Sequence, residues 1–77
     1  MTLTVERLNG DSDFELRYPY VVRFKAGDCI DKEIDMNHWC IENVDNEFWY
    51  KLWESDGHLL WLFTFEEDAV QFLITWR

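Results

Sequence analysis

Phe48-Trp49-Tyr50-Lys51-Leu52-Trp53-Glu54-Ser55-Asp56-Gly57-His58-Leu59-Leu60-Trp61-Leu62-Phe63-Thr64-Phe65 is the stretch on which the fold turns. Two aromatic-rich runs flank Asp56-Gly57. An Asp-Gly pair is a strong signal for a two-residue β-hairpin turn, because both central positions of that turn require φ above zero. With Asp56 and Gly57 at the turn, Trp53 faces Leu60, Leu52 faces Trp61, Lys51 faces Leu62 and Tyr50 faces Phe63. Side chains alternate across a strand, so Phe48, Tyr50, Leu52, Leu59, Trp61, Phe63 and Phe65 are expected on one core face. Trp49, Lys51, Trp53, Leu60, Leu62 and Thr64 are expected on the other.

An amphipathic helix follows. Ala69, Phe72, Leu73 and Trp76 recur at helical spacing, and Val70 and Ile74 widen the stripe. Glu66, Glu67 and Asp68 fall in the first turn, where the positive end of the helix dipole favours them. Thr64 and Glu67 fit a capping box.

Upstream, residues 1 to 25 read as another hairpin. Thr2 to Leu8 is β-prone, Asn9-Gly10 is again a turn dipeptide, and Phe14, Leu16, Tyr18, Tyr20, Val22 and Phe24 alternate with more polar residues. A turn at Asn9-Gly10 sets Val5 opposite Phe14 and Leu3 opposite Leu16, on the apolar face. Pro19 marks an edge, a bulge or a change of pairing partner. Ala26-Gly27-Asp28 reads as a turn and Cys29 to Ile34 as a loop or half-strand. Asp35 is a candidate N-cap for a short helix over Met36 to about Asn43, with Met36, Trp39, Cys40 and Asn43 or Val44 inward.

These elements predict one α+β domain over residues 1–77 in the order ββαββα. Its expected form is a two-layer fold: a four-stranded antiparallel sheet made of two hairpins, with both helices on one face. The other face, carrying Glu15, Arg17, Arg23, Lys25, Lys51, Trp49 and Trp53, is expected to lie open.

Composition narrows the function. The 77 residues include 16 acidic and 7 basic side chains, a formal charge of −9. Phosphate backbones and anionic membranes attract clustered Lys and Arg, so direct nucleic-acid binding and membrane docking are not expected. The N-terminal residues show no signal-peptide pattern, and no apolar run is long enough to span a bilayer. Two cysteines without metal-like spacing suggest reduced thiols in a cytoplasmic protein.

No motif for chemistry stands out. Cys29, His38, Cys40 and His58 lack the paired spacing of zinc sites. His38 and Cys40, two apart on a helix, point to different faces. Asp28, Asp31, Glu33 and Asp35 form the densest acidic cluster, but without the glycine and ligand spacing of a Ca²⁺ loop. No catalytic residue, cofactor or metal is predicted. Tryptophan is enriched at binding hot spots, so Trp49 and Trp53, with Lys51, Leu60 and Leu62 beside them, form the expected partner-binding patch. Asp28, Asp31, Glu33 and Asp35 supply an acidic surface.

Met36-Asn37-His38-Trp39-Cys40-Ile41-Glu42-Asn43 and the ending Phe63-Thr64-Phe65-Glu66-Glu67-Asp68-Ala69-Val70-Gln71-Phe72-Leu73-Ile74-Thr75-Trp76 resemble small acidic proteins of tailed, marine-type bacteriophages. The resemblance covers the second half of the chain and carries no catalytic residue. It implies a small acidic phage product in a bacterial cytosol that binds and redirects a host component.

The expected function is therefore that of a non-enzymatic interaction module. It binds a host or phage protein with a basic surface, in one version by mimicking nucleic acid. The alternative is a homodimer or other small symmetric assembly using the open sheet face.

Overall fold

The structure is a computed structural model, described here for residues 4–77. Its eight elements are β1 (Val5–Arg7), α1 (Asp13–Arg17), β2 (Tyr20–Lys25), α2 (Ala26–Cys29), α3 (Glu33–Asn43), β3 (Trp49–Trp53), β4 (His58–Phe63) and α4 (Glu66–Trp76). Short 3-10 turns over Ile30–Lys32 and Asn46–Phe48 lead into α3 and β3. The fold is α+β with one four-stranded sheet in the order β1-β2-β4-β3, every neighbouring pair antiparallel. The order ββαββα is thus corrected: a helix interrupts the first strand pair, and residues 26–32, expected as a turn and a loop or half-strand, are helical.

The β3–β4 hairpin forms, one residue out of the expected register. Trp49 pairs with Phe63, Lys51 with Trp61, Leu52 with Leu60 and Trp53 with Leu59. The turn explains the slip. Gly57 has φ +88°, but among the described residues no non-glycine residue has positive φ, so Asp56 does not take the left-handed conformation that a two-residue primed turn requires. The loop is instead the three residues Ser55, Asp56 and Gly57. It is closed by the Glu54 N–H donating to His58 O (2.8 Å) and the Gly57 N–H donating to Glu54 O (3.1 Å). A left-handed glycine in third position is the usual end of such a loop.

Because side chains alternate, a shift of one residue on one strand moves that strand's side chains to the opposite face. Trp49, Lys51 and Trp53 therefore share a face with Leu59, Trp61 and Phe63, whereas Tyr50 and Leu52 join Leu60 and Leu62 on the other.

The first strand pair also differs from its expected form. Val5 lies opposite Val22, not Phe14, and residues 8–19 connect the two strands. Leu3, expected opposite Leu16, lies outside the described residues. Phe14, Leu16 and Tyr18 belong to or flank α1. Ser12 caps this helix by accepting from the Glu15 N–H (3.2 Å), and the Glu15 carboxylate accepts from the Asp11 N–H (3.1 Å). This Ser-x-x-Glu arrangement is close to a capping box. Pro19 then ends the helical run, since the residue before a proline is pushed out of the α region.

The larger core lies on the helix face, where Trp61, Phe63, Leu59, Val22 and Phe24 meet Met36 and Cys40 of α3 and Ala69, Phe72 and Leu73 of α4. Phe72 is its hub, with its ring centroid 5.2 Å from Trp61, 5.3 Å from Phe63 and 5.6 Å from Trp39. Trp61 also donates its indole N–H to Asn37 Oδ1 (3.2 Å), giving the polar tip of a buried ring its partner.

The opposite face is covered as well, contrary to expectation. Tyr18, Val21, Leu60 and Leu62 form a second buried cluster with Leu8 and Leu52 against it. The rings of Phe14, Tyr18 and Tyr50 pack against one another at tilted and edge-on angles, with centroids 5.3 to 5.9 Å apart.

Two helix details are corrected too. The N-cap of α4 is Phe65, not Thr64, and no side chain caps it, while Val70 and Ile74 face solvent. Helix α3 starts at Glu33, two residues before the Asp35 expected to cap it.

Candidate functional site

The helical stretch from Ala26 to Asn43 presents the most distinctive surface. Helix α3 buries Met36 and Cys40, so residues half a turn away must face solvent. Ile34 and Ile41 stand seven residues apart, almost two full turns, and lie on one line. They are 71% and 62% exposed, and Ile30 in the preceding turn is 55% exposed. Asp31, Asp35 and Glu42 are exposed around them. From Ile30 to Asn43 the chain carries two Glu, two Asp and a single cation, Lys32. The result is an apolar ridge in an acidic frame, a combination that suits a partner with apolar and basic groups.

The residues expected to bind a partner are distributed differently. Trp49 is half-buried against the main core, and Trp53 stays 53% exposed on edge strand β3. Lys51, between them, ties the sheet to the start of α3 through its Nζ, 3.2 Å from Glu33 Oε2. Leu60 and Leu62 are buried in the second cluster on the opposite face. The five residues do not form one patch, because the hairpin register divides them. Asp28, Asp31 and Asp35 are exposed along the helical stretch, whereas Glu33 is half-buried and already paired.

A second feature was not apparent from sequence order. Arg23 and Lys25 of β2, Lys32 before α3, and Arg77 after α4 converge on one groove of about 650 Å³, with Trp76 and His58 in its wall. Their positions range from 23 to 77, so only the folded topology brings them together.

The groove borders a small polar cluster at the β3–β4 turn. His58 Nδ1 lies 2.9 Å from Asp56 Oδ1, and Arg23 Nε lies 3.6 Å from Glu54. The His58 contact holds the Asp56 carboxyl below the usual carboxylate range. Glu54, Asp56 and His58 are the one trio of metal-type donors within 4.8 Å of one another among the described residues. A cation there would compete with the Arg23 guanidinium for Glu54 and with His58 for Asp56.

The thiols are poor nucleophiles where they stand. Burial, aided by the Asp68 charge, pushes Cys40 up to about 12. Burial also raises Cys29, as do Glu33, Asp28 and Asp31 beside it. Since the thiolate is the reactive form, neither cysteine is primed for catalysis. Burial, with Glu67 and Asp45, raises the Asp68 carboxyl.

Among the described residues no helix is long and apolar enough to cross a membrane. No family model matches the chain, and no curated protein or solved structure matches it.

Proposed function

We propose that this chain is a non-enzymatic interaction module that docks on a basic protein surface through the outer face of α3. The observation that carries this reading is the exposed line of Ile30, Ile34 and Ile41 within an acidic frame. Burying such side chains on a partner gains roughly 25 cal/mol per Å² of apolar area, while the surrounding carboxylates steer and orient a cationic surface. This moves the expected interface from the Trp49/Trp53 strand to the neighbouring helix. The resemblance to small acidic phage proteins supports a setting in which the partner is a host or phage protein.

Assembly with a second copy is the alternative reading. The acidic frame disfavours it, because two copies meeting at this ridge would oppose like charges.

The test is capture from bacterial lysate with the wild-type chain and with Ile34→Ser/Ile41→Ser, both checked for folding, followed by mass spectrometry and direct binding to the captured protein. The expected result is one basic partner whose affinity falls at least about tenfold in the variant and weakens with added salt. A partner bound equally by both chains would overturn the assignment to α3. Self-association lost in the variant would favour assembly.

A further inference from the structure

We propose that the groove formed by Arg23, Lys25, Lys32 and Arg77 binds a small ligand carrying a polyphosphate group on an aromatic body, independently of the α3 surface. The first argument is charge placement. The chain has only seven Lys and Arg side chains against sixteen carboxylates, yet four of the seven line this one groove. Random placement would put about one among ten lining residues.

The second argument is pairing. Among the described residues Arg23 is engaged by Glu6 (3.4 Å) and Glu54 (3.6 Å), and Lys51 by Glu33, but Lys25, Lys32 and Arg77 have no carboxylate within 4 Å. Glu6, already engaged with Arg23, and Asp28 also line the groove, so four cations face two carboxylates and the excess of positive charge defines a local field unusual in so acidic a chain. The −9 overall charge does not cancel that field for a ligand in contact, because charges more than about 8 Å away are largely screened at physiological salt.

The ligand class follows from the lining. The cations come from a strand, a turn and the end of a helix, so a polyphosphate chain meets several of them where a single carboxylate would not. Arginine forks and lysine point charges are the usual phosphate donors. Trp76, half-buried in the wall, offers a ring face for an aromatic body. A volume of about 650 Å³ is within the range of small-molecule sites.

The test is titration of isotope-labelled protein with adenosine triphosphate, tripolyphosphate and adenosine, followed by amide and indole N–H resonances. Saturable shifts centred on Lys25, Lys32 and the Trp76 indole are expected with both phosphates, with the nucleotide bound more tightly. Lys25 and Lys32 are exposed, so Lys25→Ala/Lys32→Ala should keep its fold and lose about tenfold or more in affinity. Arg17→Ala, outside the groove, should bind like wild type. Absence of saturable binding, or equal affinity in the double variant, would overturn the site. Equal affinity for nucleotide and tripolyphosphate would overturn the aromatic half of the assignment.

Discussion

The two faces of the sheet are both buried, but by unlike means. On one face two eleven-residue helices lay their apolar stripes, Phe72 among them, over Trp61 and Phe63 within a cluster of twelve buried residues. On the other, Leu8 and Tyr18 of the connection around a five-residue helix that buries no residue of its own close over Val21, Leu60 and Leu62. The first cover is held by broad packing. The second depends on local backbone devices: the Ser12 cap, Gly10 at φ +79° and the Pro19 stop. A sheet can thus be dry on both sides while its stability is unequally divided, and the outward sides of the covering elements stay exposed.

The sharpest way to break this comparison is Phe72→Ala. Its ring meets those of Phe24, Trp39, Trp61 and Phe63, so its loss should cost about 3–5 kcal/mol in urea unfolding. Leu60→Ala, on the less extensively covered face, should cost about 2–3 kcal/mol. If Leu60→Ala cost more than Phe72→Ala, the unequal division would be wrong.

Backbone substitutions sharpen the contrast. Gly57→Ala and Gly10→Ala each force a left-handed φ on a side chain, at about 1–2 kcal/mol. The two should cost about the same, since nothing stands within 4 Å of a Cβ at Gly57 and the 3.0 Å contact at Gly10 is with Leu16 Cδ2, the end of an exposed side chain that can swing away. Ser12→Ala should cost about 1 kcal/mol and loosen α1 before α4, as native-state hydrogen exchange would show.

The smallest effect concerns pH. The Asp56 carboxyl titrates below its ordinary value in the fold, so its contribution is complete above the unfolded pKa and is lost as pH falls through the folded one. The stability difference between wild type and Asp56→Asn should therefore shrink on acidification below pH 3.8.

Much of the fold was legible in the sequence, because periodicity over a long segment averages out local ambiguity. The α4 stripe of Ala69, Phe72 and Leu73, the inward Met36 and Cys40, and the existence of the Trp49–Phe63 hairpin all follow from it. Register was less legible. Asp-Gly serves both a two-residue turn and the end of a three-residue loop, and the choice between them decides which face receives Trp49 and Trp53.

Around α1, alternating Phe14, Leu16 and Tyr18 imitates a strand, although Phe14 and Tyr18 also stand one helical turn apart. Ser12 and Glu15 carried the capping signal that decides between those readings. The ridge was partly hidden because residues 26–34 read as irregular. The groove was hidden altogether, since Lys25 and Arg77 are neighbours only through the topology.

Cross-strand Hα–Hα contacts in β3–β4 test the register that decides which face of the sheet receives Trp49, Lys51 and Trp53. Glu54 and His58 form a hydrogen-bonded pair, so Trp53–Leu59, Lys51–Trp61 and Trp49–Phe63 should be the close, non-hydrogen-bonded pairs. Strong nuclear Overhauser effects between those Hα atoms are the predicted result. Contacts for Leu52–Trp61 and Tyr50–Phe63 in their place would contradict the account, because Trp49, Lys51 and Trp53 would then face the same side as Leu60 and Leu62.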